Sequence, residues 1–69
     1  MDIEESNRQA LQAIERRCHA ARITPRKLCE QAGMGYSTYW RGTKQPGKIS
    51  VESLGKMERR LAEIESGAA

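Results

Sequence analysis

The chain has 69 residues, 38% of them hydrophobic, which is enough for one small core and leaves no room for a deep substrate pocket unless it is carved from that core. A mean hydropathy of -0.75 and the lack of any apolar run of membrane-spanning or signal-peptide length exclude a membrane partner and place the protein in the cytoplasm. The net charge of +3 is modest but unevenly spread. Residues 16–48 carry Arg16, Arg17, Arg22, Arg26, Lys27, Arg41, Lys44 and Lys48 against Glu30 alone, while both flanks are net acidic. A basic segment between acidic flanks is the electrostatic footprint of a surface for a polyanion.

The first predicted element is a long amphipathic helix over residues 3–21. Asp2 and Glu5 offer a weak capping signal, and Leu11, Ile14, Cys18 and Ala21 recur at steps of three and four. The run Ile23, Thr24, Pro25 is the sharpest punctuation in the chain: Thr is a good N-cap and Pro is preorganised for the first helical position. A second helix therefore starts at Pro25 and runs to about Ala32, ended by Gly33. Ile23 and Leu28 are spaced to staple its start.

The segment Tyr36 to Thr43 reads as a short third helix, because a lone strand would have no partner. Gly42, Pro46 and Gly47 then break the pattern, and residues 43–48 read as a basic loop. Ser50 caps a fourth helix over residues 51–65, with Ile49 and Leu54 as a second staple, and Leu54, Met57, Leu61 and Ile64 follow at helical spacing. The fold class predicted is all-α, a compact bundle of four to five short helices. Residues 1–66 form one domain and residues 67–69 a frayed tail.

Cys18 and Cys29 match no metal-ligand spacing and read as small buried hydrophobes, so neither a metal nor a cofactor is expected. His19 is the only imidazole. With no acid-base partner nearby in sequence and no phosphate-cradling glycine loop, it reads as a surface residue and the protein as no enzyme.

Two short helices joined by a glycine-containing turn inside an all-helical domain make a helix-turn-helix. Leu28 and Ala32 face the core, small Cys29 allows close helix approach, Gly33 makes the turn, Met34 plugs the crossing, and Tyr39 is the third helix's inward residue. From Thr24 to about Arg41 the chain resembles the lambda-repressor-like, Cro-type regulators, and the flanking helices match more loosely. It departs from them at Gly35, where the family usually has Ser or another N-cap, and at Gly42, where the family often has a large apolar residue.

The resemblance implies that the third helix enters the major groove of double-stranded DNA while the second crosses the backbone. Tyr36, Ser37, Trp40 and Arg41 are then the base-reading candidates, with Arg41 foremost because its fork makes bidentate contacts to guanine. Tyr39 and Trp40, being adjacent, cannot both point fully inward, so Trp40 faces DNA or caps the edge of the core. Arg26, Lys27, Thr38, Lys44, Gln45 and Lys48 are the backbone-contact candidates, with Thr38 belonging also to the turn.

One short reading helix buries too little to select a site, so a homodimer on a palindromic operator is expected. Met57, Leu61 and Ile64 are candidates for its interface, although the core claims the same residues. Occupying a promoter needs no contact with polymerase, which favours a phage or mobile-element repressor, and no small-molecule ligand is expected. The rival reading is a helical protein-interaction module such as an antirepressor or adaptor. Structured RNA is disfavoured by the scarcity of aromatic residues.

Overall fold

The computed structural model describes residues 2–67, and Met1, Ala68 and Ala69 of the predicted domain and tail lie outside the described residues. The fold is all-α. Four α-helices, α1 (Ile3–Ala20), α2 (Pro25–Gln31), α3 (Tyr36–Lys44) and α4 (Val51–Glu65), are joined by short turns, with one 3-10 turn at Pro46–Lys48. Of these, α1 with 18 residues and α4 with 15 are not short.

The helix starts follow the caps. The Asp2 carboxylate accepts from the Glu4 backbone N–H at 3.0 Å, Thr24 Oγ1 from Lys27 at 3.1 Å, and Ser50 Oγ from Ser53 at 3.1 Å. Each satisfies a donor that the first helical turn leaves without a partner.

The ends of α1 and α2 share one geometry. Ile23 N–H donates to Cys18 O at 3.0 Å and Arg22 N–H to His19 O at 3.1 Å. Met34 N–H donates to Cys29 O at 2.9 Å and Gly33 N–H to Glu30 O at 3.2 Å. Both are Schellman endings, which need a left-handed residue just past the helix. Gly33 supplies it at φ +75°, and Arg22 supplies it at φ +59° against the preference of a side-chain-bearing residue.

The core is built from α1 (Leu11, Ile14, Cys18), α2 (Leu28, Cys29), α3 (Tyr39), α4 (Leu54, Met57, Leu61) and Ile49 of the connection. Both cysteines are free and fully enclosed, and burial pushes both thiols up. The Arg17 guanidinium on α1 makes two hydrogen bonds, at 2.8 and 2.7 Å, to the Glu65 carboxylate at the end of α4, holding that carboxyl below the usual range.

Two expectations are corrected. Residues 43–48 are not simply a loop: α3 takes Thr43 and Lys44, and Pro46 opens the 3-10 turn closed by Lys48 N–H to Gln45 O at 2.8 Å. Met57 and Leu61 do not form a surface for a second copy, because both are 0% exposed within a single chain; Ile64 is half-buried against the same core. Among the described residues, no helix is long and apolar enough to cross a membrane.

Candidate nucleic-acid interface

The α2–turn–α3 unit sets the outward face of α3. Gly33 turns the chain, and Met34 and Ile23, each just past a Schellman ending, pack half-buried against the core. Gly35 begins α3 in an extended conformation with no side-chain cap, and Thr38 N–H donates to Gly35 O at 3.1 Å. Tyr39, 4% exposed, and Gly42 are the buried positions of α3. With those two inward, the helical period places Ser37, Arg41 and Lys44 on the opposite side and Trp40 at its edge, and all four are exposed.

No acidic residue lies on α3. Arg41 has neither an ion-pair partner nor a side-chain hydrogen bond among the described residues, as is also true of Arg16 on α1 and Arg59 on α4, whereas Arg8, Arg17 and Arg60 pair with glutamates. Trp40 is 53% exposed, and Lys44 Nζ lies 5.6 Å from its ring centroid. The indole therefore sits beside the open face, as expected of a large ring at the edge of a small core.

Tyr36, the first residue of α3, is less open than Ser37, Trp40 or Arg41. Its ring is half-buried, 5.9 Å from the Tyr39 ring, and carries the Arg26 guanidinium 4.7 Å above it. Arg26 is thereby held at the α2 end of the same face by a cation–π contact. Lys27 is exposed but pairs with Glu30 at 3.5 Å. Thr38 is half-buried in the first turn of α3. Gln45 and Lys48, both exposed, bracket the 3-10 turn that leaves the C-terminus of α3.

Asn7 was not legible as a functional or structural residue, yet it is the one buried polar side chain of the described core. Its Nδ2 donates to Pro46 O at 2.8 Å and Ile49 O at 3.3 Å, fastening α1 to the 3-10 turn. The signal was present: Asn7 continues the stripe of Leu11, Ile14 and Cys18 one turn earlier.

A second feature was unexpected. An open groove of about 690 Å³ lies between the C-terminal half of α1, the start of α2 and the edge of α3, with Glu15, Arg16, His19, Tyr36, Tyr39 and Trp40 in its lining. His19 is exposed, as expected, but on the wall of this groove. Comparisons of the chain with protein-family models, curated proteins and solved structures return no match.

Proposed function

We propose that this chain is a sequence-specific double-stranded DNA-binding transcriptional regulator of the lambda-repressor-like kind, acting as a homodimer on a palindromic operator and repressing by occupying it. The observation that carries the reading is the face of α3. A helix anchored by Tyr39 and Gly42 presents Ser37, Trp40, Arg41 and Lys44 to solvent, free of acidic residues, and Arg41 has no ion-pair partner among the described residues. An exposed, unpaired guanidinium at the middle of a helix is suited to the paired acceptors on the major-groove edge of guanine. Lys44 and Lys48 beyond it, and Arg26 beside Tyr36, suit the phosphates on either side.

In this reading α3 lies in the major groove and α2 crosses above it. Arg41 reads a guanine, Ser37 takes a base edge or a phosphate, and Trp40 packs its ring against the groove wall. Tyr36 sets the position of Arg26 and does not itself read a base. A dimer places two such helices about 34 to 36 Å apart on successive major grooves. Its contact surface excludes Met57 and Leu61, which the protomer core consumes. Repression by occupancy suits a regulator of phage or mobile-element type.

The test is fluorescence anisotropy of labelled duplexes, comparing a sequence selected from a random pool with unselected sequence across a salt series. The wild type is expected to prefer a palindrome and to bind more weakly as salt rises. Arg41→Ala is expected to lose about 1 to 3 kcal/mol of discrimination at one base pair of each half-site. Lys48→Ala should weaken all sequences alike and flatten the salt slope. Binding that is weak and blind to sequence would overturn the reading and point to a protein partner.

A further inference from the structure

Two contacts fix how α1 and α4 lie. Asn7, near the start of α1, donates to Ile49 O at 3.3 Å, two residues before α4 begins. Arg17, near the end of α1, donates to Glu65, the last residue of α4. The two helices therefore run parallel, with their starts at one end of the molecule. Residues seven apart on a helix stand two turns apart on nearly the same line. Fourteen residues back from the Arg17–Glu65 pair stand Ile3 on α1 and Val51 on α4, the first residue of each helix. Glu58, midway along that line of α4, also acts on the Arg17 guanidinium, as a residue on the flank facing α1 should.

Ile3 and Val51 thus stand level on facing flanks, at the end where the helix pair runs past the core. They are 68% and 79% exposed, and the only other large apolar side chain so exposed among the described residues is Trp40, on the α3 face. Their surroundings carry opposite charge. Asp2, Glu4 and Glu5 flank Ile3 with Arg8 as the one cation, whereas the chain from Ala32 to Val51 holds no acidic residue and reaches α4 through Lys48. Such a surface is its own complement. A twofold axis that lays Ile3 of one copy on Val51 of another also brings each acidic α1 start to the other copy's basic connection, so both halves are satisfied at once. A partner of a single charge would satisfy only one half.

Two aliphatic side chains per copy cover far less than the roughly 800 Å² per partner of a stable interface. The contact therefore needs the copies held together by something else, and two adjacent half-sites on one duplex raise their effective concentration in that way. We propose that Ile3 of one copy packs on Val51 of a second copy, and the reverse, so that a chain monomeric in free solution pairs when it occupies both halves of a palindrome. This rests on the DNA-binding reading above and supplies the copy-to-copy surface that Met57 and Leu61 do not.

The experiment uses the whole chain with the palindrome selected from a random pool and with the same duplex carrying one scrambled half-site, followed by fluorescence anisotropy. Without DNA the chain is expected to sediment as a monomer at micromolar concentration. On the palindrome the second copy should bind about tenfold tighter than the first, the scale set by burying a few aliphatic groups. Ile3→Ser and Val51→Ser should each remove most of that gain and leave affinity for the single half-site unchanged. An equal mixture of Ile3→Cys and Val51→Cys chains on the palindrome should be joined by a short bifunctional maleimide far better than either variant alone, since the native thiols are enclosed. Independent filling of the two half-sites overturns the proposal. So does a gain that survives both serine variants, or a mixture that joins no better than its components. If no duplex is bound at all, the DNA-binding reading fails by itself. The joining reaction on the mixture at millimolar chain without DNA then decides the contact, and the absence of a joined pair overturns it as well.

Discussion

Ile49 occupies the space that a side chain at position 42 would need: a Cβ on Gly42 would stand 3.0 Å from Ile49 Cδ1, 3.1 Å from Ile49 Cβ and 3.4 Å from Leu11 Cδ1. The apolar closure of α3 is thus supplied from the following connection, and the glycine is the complement of that isoleucine. Gly42→Ala gains about 1 kcal/mol of helix propensity but drives a methyl against a Cβ close to the backbone, where overpacking costs about 1 to 3 kcal/mol. The expected sum is a modest loss of stability in urea denaturation. Gly55, inside α4 with nothing within 4 Å of its would-be Cβ, gives the opposite sign: Gly55→Ala should stabilise by about 0.5 to 1 kcal/mol. Equal effects at the two positions would refute the packing argument.

Asn7 ties two carbonyls, Pro46 O and Ile49 O, to α1 through one buried amide. Asn7→Leu should therefore cost more than its gain in apolar area suggests, by about 1 to 3 kcal/mol, because the carbonyl partners are left without a donor. The same change loosens the 3-10 turn that carries Lys48. If that lysine contacts phosphate, the variant should bind DNA with a shallower salt dependence while keeping its sequence preference. A loss of preference instead would mean that Asn7 orients α3 itself.

What the sequence made legible was local. Asp2, Thr24 with Pro25, Gly33 and Ser50 act on backbone groups within three or four residues, so the start of every helix and the whole of α4 could be placed from local chemistry. The inward turn of Tyr39 followed from the spacing after Met34 once the glycine turn was fixed. The Asn7 clamp and the fit of Ile49 against Gly42 join residues 42 and 7 apart across turns of unknown direction; periodicity puts Asn7 on the inward stripe of α1 but does not report the carbonyls it meets. The assignment of Met57 and Leu61 failed for another reason. An apolar stripe at helical spacing shows that a face will be buried, but the same residues serve equally against one's own core or a partner's. The groove draws on α1, α2 and α3 together, so it exists only once those helices are packed.

Arg22 and Gly33 hold the same left-handed position after successive helices, and only one of them is suited to it. A residue with a Cβ at φ +59° carries strain on the order of 1 kcal/mol that glycine does not. Arg22→Gly is therefore expected to raise the unfolding midpoint in urea, and Gly33→Ala to lower it by a similar amount or more, although a Cβ at Gly33 meets no atom within 4 Å. If Arg22→Gly destabilised, the arginine side chain would be contributing more than its backbone conformation costs.

Tyr39, Cys18 and Cys29 are acids kept neutral by burial, and that gives the protein an alkaline limit. Each keeps its proton in the folded chain at a pH where the unfolded chain has begun to release it. The folded state then binds more protons, and stability falls as pH rises. The contribution is intact below the ordinary thiol and phenol values of 9.0 and 10.0, and for Tyr39 it is lost on the way to about 12. Stability from urea denaturation under reducing conditions should therefore be level through neutral pH and decline above about pH 9. Tyr39→Phe should remove the part of the decline between pH 10 and 12, on the order of 1 to 2 kcal/mol, less than the full shift implies because water in the groove reaches the hydroxyl. An unchanged alkaline slope in Tyr39→Phe would mean that the phenol ionises in the folded chain as readily as in the unfolded one.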